Sequence, residues 1–163
     1  LAYSPNPMWQ LGLSAATGTY LRPSARTTLA PGTGRGDYRQ ETLAADVAFA
    51  WHHWQVWSEL YRVRFTIPRI GDADTTAYYA EVKYKFTPRL AGAVRWNQQL
   101  FDTIPDEDGI PTRWGHNTWR IDAATTYRFT PHTQIKLQYS LQHQSDMADA
   151  YGHLLAAQVT VRF

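Results

Sequence analysis

The stretch Leu155-Ala-Ala-Gln-Val-Thr-Val-Arg-Phe163 ends the sequence with an alternation of apolar and polar side chains. Every second residue from Leu155 to Phe163 is apolar, whereas Gln158, Thr160 and Arg162 lie on the opposite side of an extended chain. Because successive side chains of a strand point to opposite faces, this period of two predicts a β-strand between two different solvents. Many soluble strands alternate as well, so the fold depends on whether the other segments obey the same rule.

Seven further segments alternate in the same way, at 9–20, 40–51, 54–65, 77–86, 90–98, 118–129 and 133–142. In the last five strands one face carries no charge, and the charges share the other face: Glu81, Lys83, Lys85, Arg95, Arg120, Asp122, Arg128, Lys136 and Arg162. The segment 42–64 also fits a helical stripe, but the strands that flank it favour a hairpin. The pattern predicts an all-β chain of about eight strands in an antiparallel up-and-down arrangement.

The composition bounds the class of protein. The 163 residues suffice for one domain, which we take to span 1–163, and 44% of them are hydrophobic and 14% aromatic. The mean hydropathy is nevertheless −0.47, and no apolar run approaches the ~20 residues of a membrane helix. Many aromatic residues without a hydrophobic block are typical of a transmembrane β-barrel, in which alternation dilutes the apolar residues. The absence of cysteine excludes disulfides and thiol chemistry, and a net charge of +2 is too small to indicate a nucleic-acid partner.

The connections predict two different ends of such a barrel. Tyr84-Lys-Phe-Thr-Pro-Arg89 and Tyr127-Arg-Phe-Thr-Pro-His132 are copies of one short turn, and His52-His53 forms another. The links 21–39, 66–76, 99–117 and 143–153 are longer and contain Gly, Pro and Asp. Aromatic residues gather near both strand ends, as in the girdles at the two membrane interfaces. The predicted membrane girdle comprises Trp51, Trp54, Tyr84, Phe86, Trp96, Trp119, Tyr127, Phe129 and Phe163.

Two sets of residues resemble known families. A last strand that ends in an aromatic residue, here Phe163, resembles the assembly signal of bacterial outer-membrane β-barrels. The stretches Ala77–Trp96 and Tyr127–Tyr139, with the last strand, resemble late strands of porins in the phosphate- and polyphosphate-selective group. The resemblance implies a large antiparallel barrel in the bacterial outer membrane, usually a homotrimer, that passes small anions. It also implies recognition of the last strand by the barrel-assembly machinery and contact with outer-membrane lipid and lipopolysaccharide.

The first residues bear on how much of a barrel this chain forms. Leu1-Ala-Tyr-Ser-Pro-Asn-Pro7 is similar to the aromatic-Ser/Thr-Pro turn, and a turn of that kind needs a strand before it. We therefore expect the chain to be the C-terminal portion of a larger barrel. The alternative is a complete eight-stranded barrel with a short periplasmic tail.

The inward face is the candidate functional surface. Its charges comprise seven basic and four acidic residues, namely Lys83, Lys85, Arg95, Arg120, Arg128, Lys136 and Arg162 against Asp46, Glu59, Glu81 and Asp122. We predict that they line a pore, where a basic excess favours anions; the alternative is that they only pair and hydrate the wall.

The register expected from the short turns places Glu81 opposite Arg95 and Asp46 beside Glu59. The two carboxylates could bind a cation or share a raised pKa, or they could be hydrated wall residues. On the outward face, Arg62 and Arg64 fall at the outer rim, where lipopolysaccharide phosphates are a potential partner.

Catalytic and metal sites have little support in the sequence. His116 and His143 are close in sequence to acidic loop residues, and Asp106–Gly109 lacks the remaining ligands of a calcium loop. No motif marks a nucleophile. We expect no enzyme activity, cofactor or metal, and a porin for passive diffusion of small solutes with a bias toward anions. The alternatives are a barrel that sheathes or anchors a lipoprotein or cytochrome, and an outer-membrane hydrolase.

Overall fold

The computed structural model describes residues 1–105, 109–145 and 151–162, and of residues 26–28 only the backbone. Nine strands form one antiparallel sheet in the order β1-β2-β3-β4-β5-β6-β9-β10-β11, and β7 pairs with β8 in a separate hairpin. The strands are β1 (Ala2–Asn6), β2 (Trp9–Thr19), β3 (Arg39–Trp51), β4 (Trp54–Ile67), β5 (Gly71–Lys85), β6 (Leu90–Phe101), β7 (Thr103–Pro105), β8 (Pro111–Arg113), β9 (Thr118–Arg128), β10 (Thr133–Gln144) and β11 (Tyr151–Val161). Two short 3₁₀ helices, Pro23–Thr28 and Arg35–Asp37, lie between β2 and β3.

The prediction of an all-β, up-and-down antiparallel chain is confirmed, and each of the eight predicted segments corresponds to a strand, with ends that agree to within one residue or lie inside a longer strand for the first seven. The last segment corresponds to β11, except that Phe163 lies outside the described residues. The ambiguous segment 42–64 is a hairpin with the two-residue turn His52-His53, in which Trp51 and Trp54 are directly opposed. The sheet is not closed into a barrel. Within the described residues, β1 and β11 each have one neighbouring strand and one free edge.

The first residues differ from their prediction. Ala2–Asn6 is a ninth strand rather than a turn, and the turn lies at Pro7-Met8, where the Met8 N–H donates to Asn6 Oδ1 at 2.9 Å. Pro5, which was predicted to form a turn, sits within this strand. An edge strand accepts proline because its outward side needs no backbone N–H.

The connection between β4 and β5 is shorter than the predicted link 66–76. The two strands pair as far as Ile67 and Gly71, and only residues 68–70 form the turn. Arg69 and Gly71 adopt positive φ angles of 66° and 108°, which lets the chain reverse within these few residues. The predicted links 99–117 and 143–153 also contain strand ends, because β6 extends to Phe101, β10 extends to Gln144 and β11 begins at Tyr151. The predicted link 21–39 agrees with the ends of β2 and β3 to within one residue.

Four short connections lie at one end of the sheet, which we call the turn end; the other end is the loop end. The two repeated turns have the same geometry, since Thr87 Oγ1 accepts from the Arg89 N–H and Thr130 Oγ1 accepts from the His132 N–H, both at 3.2 Å. A carbonyl oxygen of each short turn also accepts a hydrogen bond from a backbone N–H near the end of a following strand. The donor and acceptor residues are Ala50 and Met8, Lys85 and His53, Arg128 and Arg89, and Arg162 and His132. The hairpins are therefore joined in a fixed stagger.

The stagger is regular across the sheet. One continuous line of paired residues runs through Gln10, Trp57, Arg95 and Ser140, which are the second residue of β2, the fourth of β4, the sixth of β6 and the eighth of β10. A shift of about one residue per strand, with a rise of ~3.3 Å and a strand spacing of ~4.8 Å, inclines the strands by roughly 35°. Strands of closed barrels are inclined by a similar amount.

The sheet has two contrasting faces and almost no buried apolar core. Tyr38 and Ala73 are the buried hydrophobic residues of the described chain. Large apolar side chains remain exposed on the face that we call the apolar face, including Leu155 at 79%, Leu43 at 63% and Val94 at 55% exposed. Within the described residues, no helix is long and apolar enough to span a membrane.

Candidate functional site

The charges predicted to line a pore lie on the opposite face of the sheet, which we call the polar face. Strand pairing places ten of them on this face, and Arg162 follows directly after β11 with the same parity. The register predictions are also correct, since Glu81 is opposite Arg95 and Asp46 is opposite Glu59. Directly opposed residues share a face, so the shared surface follows from the pairing alone.

Arg95 is held in the middle of the polar face by two neighbours. Its guanidinium lies 2.6 Å from the Glu81 carboxylate and stacks over the Tyr79 ring, 4.6 Å from the ring centroid. The Glu81 side chain is 19% exposed and that of Arg95 is 39% exposed. The positive charge of Arg95 is thus largely compensated inside the wall.

Asp122 is the centre of a second network, two strands away from Glu81. Arg120 Nε lies 3.1 Å from Asp122 Oδ1, Asn97 Nδ2 donates to Oδ2 at 2.8 Å, and Gln138 Nε2 donates to Oδ1 at 3.4 Å. Asp122 is only 7% exposed, and Ser140 beside it is 4% exposed. A buried carboxylate needs such donors, so Arg120 is also neutralised by its surroundings.

Asp46 and Glu59 lie side by side on β3 and β4. Glycine at position 12 leaves room for them, because a Cβ at this position would overlap the Asp46 carboxylate. The Glu59 carboxylate lies within interaction range of the Tyr61 and Tyr79 hydroxyls. In the part of the chain that the structure describes, no group of three or more His, Asp or Glu side chains is placed to hold a metal ion. The cation hypothesis for this pair remains a prediction.

The basic residues nearest the turn end have different surroundings. Lys83, Lys85, Arg128 and Lys136 have no carboxylate within ion-pair distance among the described residues. No acidic residue occurs in the four short turns or in the adjoining three or four positions of the strands. The excess positive charge of the polar face is therefore concentrated at this end.

The predicted girdle residues lie on the apolar face in two bands. Near the turn end, the Trp54 and Tyr84 rings are 4.6 Å apart, and Phe86 and Phe129 contact Tyr84 and Tyr127 at 5.1 and 5.0 Å. Trp51 belongs to the same band, opposite Trp54. Trp96 and Trp119 stack at 5.4 Å toward the loop end. Phe163 lies outside the described residues.

An aromatic cluster at the loop end of the polar face was not predicted. The Trp114 ring, in the connection between β6 and β9, packs 5.0 Å from Phe101 and 5.7 Å from Phe65, and Tyr20 packs 5.2 Å from Phe65. Trp114 Nε1 also donates to the Asp74 carbonyl oxygen at 2.8 Å. The connection thus folds back over the polar face. The sequence contains only a weak signal for this cluster, because a single Trp in a loop does not indicate which residues it contacts.

Arg62 and Arg64 lie on the apolar face, as predicted, but both are engaged by carboxylates. Asp74 accepts hydrogen bonds from Arg62 at 2.8 Å and from Arg64 at 2.9 Å, and Asp102 accepts another from Arg62 at 2.7 Å. The Arg64 guanidinium, followed by Arg62, holds the pKa of Asp74 below its usual value against the opposing effect of burial. A phosphate at this rim would compete with these carboxylates.

The candidate catalytic residues do not converge within the described chain. His143 is sandwiched on the apolar face between Trp119 and Tyr151, whereas His116 is exposed. Ser58 donates to the Tyr79 carbonyl oxygen at 2.8 Å. The acidic loop residues Asp106, Glu107, Asp108 and Asp146 lie outside the described residues.

Comparisons with models of known families and with curated proteins find no match. The geometry of the two faces is therefore the basis for a functional proposal.

Proposed function

We propose that this chain forms the wall of an outer-membrane β-barrel channel for passive diffusion of small solutes, with a bias toward anions. The observation that carries the proposal is the exposed apolar face, which continues across the nine-stranded sheet and carries charges such as Arg62, Arg64 and Asp74 only near its loop end. Water in contact with so large a contiguous apolar surface is unfavourable, and monomeric soluble proteins rarely expose one. A lipid bilayer is the solvent that removes this cost.

The dimensions of the apolar face support the proposal. On β9, Trp119 and Tyr127 are eight residues apart and belong to the two aromatic bands. With a rise of ~3.3 Å per residue and a tilt of roughly 35°, the bands are separated by roughly 22 Å along the barrel axis. The apolar band of an outer-membrane barrel is about 25 Å tall.

The regular stagger supports closure into a barrel, because closure requires inclined strands with a constant shift. In this proposal the polar face lines the lumen and the short turns face the periplasm. The barrel would contact outer-membrane lipid and lipopolysaccharide. The barrel-assembly machinery would recognise its last strand, and we propose a homotrimer as the oligomeric state.

Planar-bilayer recording of the intact protein tests the channel. We expect ohmic current that reverses, in a salt gradient, at a potential biased toward anions. A folded, heat-modifiable protein that carries no current would contradict the channel. That outcome would instead favour a barrel that sheathes or anchors a partner such as a lipoprotein or cytochrome.

A further inference from the structure

The positive charges of the polar face fall into two classes. Arg95 and Arg120 are bound within the wall by Glu81 and Asp122. The second class comprises the basic residues near the turn end, for which the described residues offer no carboxylate. A charge that is already paired contributes little field to a passing ion, whereas an unpaired charge contributes its full field.

The second class has the shape of a cradle. Lys85 on β5 and Lys136 on β10 lie in one row of paired residues, and only Ala91 and Thr126 separate them. Three strand spacings put the backbones of the two lysines roughly 14 Å apart. Their long side chains therefore rise on both sides of a floor made of small residues.

Two further cations extend the walls of the cradle. Lys83 lies two residues from Lys85 on the same face of β5, and Arg128 is the diagonal neighbour of Lys136. The floor continues beside Lys83 with Ala93 and its partner Ala124. We call Lys83, Lys85, Arg128 and Lys136, with this floor, the basic cradle.

We infer that the basic cradle is the anion-recognition site of the polar face and that it binds small multivalent oxyanions. Arg95 and Arg120 act as cross-links of the wall. Cations on two opposite sides favour a ligand that carries charge on more than one oxygen, because both walls can then interact with it. The inference rests on the proposed channel, and it places the recognition site near one mouth only.

Two double variants separate the classes of charge. Lys83→Gln/Lys136→Gln removes two positive charges that have no carboxylate partner among the described residues, whereas Glu81→Gln/Arg95→Gln removes a whole ion pair and leaves the net charge of the polar face unchanged. In planar bilayers, we expect the lysine variant to lower the anion-to-cation permeability ratio roughly threefold or more. The ion-pair variant should keep the wild-type ratio but unfold at a lower denaturant concentration. An equal or larger loss of selectivity in the ion-pair variant overturns the inference.

A second charge-neutral variant guards against misfolding of the first. Arg120→Gln/Asp122→Asn removes the other ion pair, and we expect its permeability ratio to equal that of the wild type. A fall in the ratio would mean that the paired arginines contribute to selectivity, contrary to the inference. Absence of current in the wild type would contradict the proposed channel itself, which is a different result.

Sulfate tests the location of the site. Added to one side of the bilayer at a time, sulfate should reduce the chloride current at a lower concentration from the side that faces the turn end. The lysine variant should lose this difference between the two sides. Equal inhibition of the wild type from both sides would contradict a site near one mouth.

Discussion

At the scale of single residues, Asp74 shows how the loop end of the apolar face accommodates charge. Its side chain is only 12% exposed, and the two guanidiniums that it binds are about half exposed. Asp74 lies beyond the apolar belt of β5, on the side of the loop end. Because this one carboxylate binds both arginines, which extend from an apolar surface, it stabilises the two neighbouring strands.

The pH dependence of stability should follow from the lowered pKa of Asp74. A carboxylate with a lowered pKa in the folded state contributes stability above its unfolded pKa of ~3.9, and this contribution is lost as the pH falls through the folded value. We expect Asp74→Asn to cost about 1–2 kcal/mol at pH 7 and to flatten the loss of stability in acid. Urea titrations in detergent micelles between pH 7 and pH 2 measure both effects.

Asp72→Asn is the matched control for this prediction. The Asp72 carboxylate is 52% exposed and lies 3.8 Å from Arg64, so its ion pair is weak. The control should follow the wild-type curve at every pH. If Asp74→Asn also retained the acid dependence of the wild type, the stabilising role of Asp74 would be refuted.

A contact between two residues could be predicted from the sequence only where a short turn connects their strands. Glu81 and Arg95 were paired correctly because the short turn at Pro88 fixes the register of its hairpin. The contact of Asn97 with Asp122 crosses from β6 to β9, and the intervening connection is 102–117. No local turn rule fixes a register across such a length, so this network could not be predicted.

At the scale of elements, the repeated aromatic-Phe-Thr-Pro turn is stabilised by its threonine. Thr87 Oγ1 accepts from the Arg89 N–H at 3.2 Å and from the Leu90 N–H at 3.0 Å. The hydroxyl thereby satisfies backbone donors that the tight turn leaves without a carbonyl partner. In the sequence copy, Thr130 Oγ1 accepts from the His132 N–H in the same way, whereas the Thr133 N–H donates to the Thr130 carbonyl oxygen, so the local motif predicts most of the local structure.

Removal of the Thr87 hydroxyl should loosen the β5–β6 hairpin. We expect Thr87→Ala to destabilise the fold by about 1 kcal/mol, whereas Thr87→Ser, which keeps the acceptor, should be close to neutral. The measurement is the urea midpoint of the refolded protein. Equal destabilisation by both substitutions would attribute the effect to the lost methyl group instead of the hydrogen bonds.

Element boundaries were predicted best where alternation is uninterrupted and worst where ion pairs prolong a strand. The Gly, Pro and Asp residues of 66–76 suggested a long link, yet the pairing of Asp72 and Asp74 with Arg64 on one face keeps β4 and β5 extended. Similarly, Pro5 suggested a turn but sits in an edge strand. In both cases, a tertiary contact or an edge position decided against the local signal.

At the scale of the whole molecule, the period of two predicts which residues share a face, but not what closes the sheet. In the last five predicted strands, parity placed the charges of the described residues together on one face, as the strand pairing has them. Closure depends on strand number and shift, which are properties of all strands together. The sequence also did not predict that the connection 102–117 folds over the polar face. This fold depends on the contact between Trp114 and Phe65, which are far apart in the sequence.

A pair of neighbouring substitutions on β10 tests the assignment of the two faces to lipid and water. Leu137 is 46% exposed on the apolar face, between Thr125 and Ala157, whereas Gln138 lies on the polar face near Asp122. Leu137→Arg should destabilise the protein refolded in lipid vesicles by roughly 2–4 kcal/mol, because a guanidinium near the bilayer midplane loses its hydration.

The control Gln138→Arg adds the same charge one residue away. It should be tolerated, because the new guanidinium meets water and the Asp122 carboxylate. Urea titration in vesicles gives both free energies of unfolding, and heat-modifiable mobility shows whether each variant folds. The reverse order of the two effects would mean that the polar face is the buried one, as in a soluble sandwich, and the channel would then have to be abandoned together with the membrane assignment.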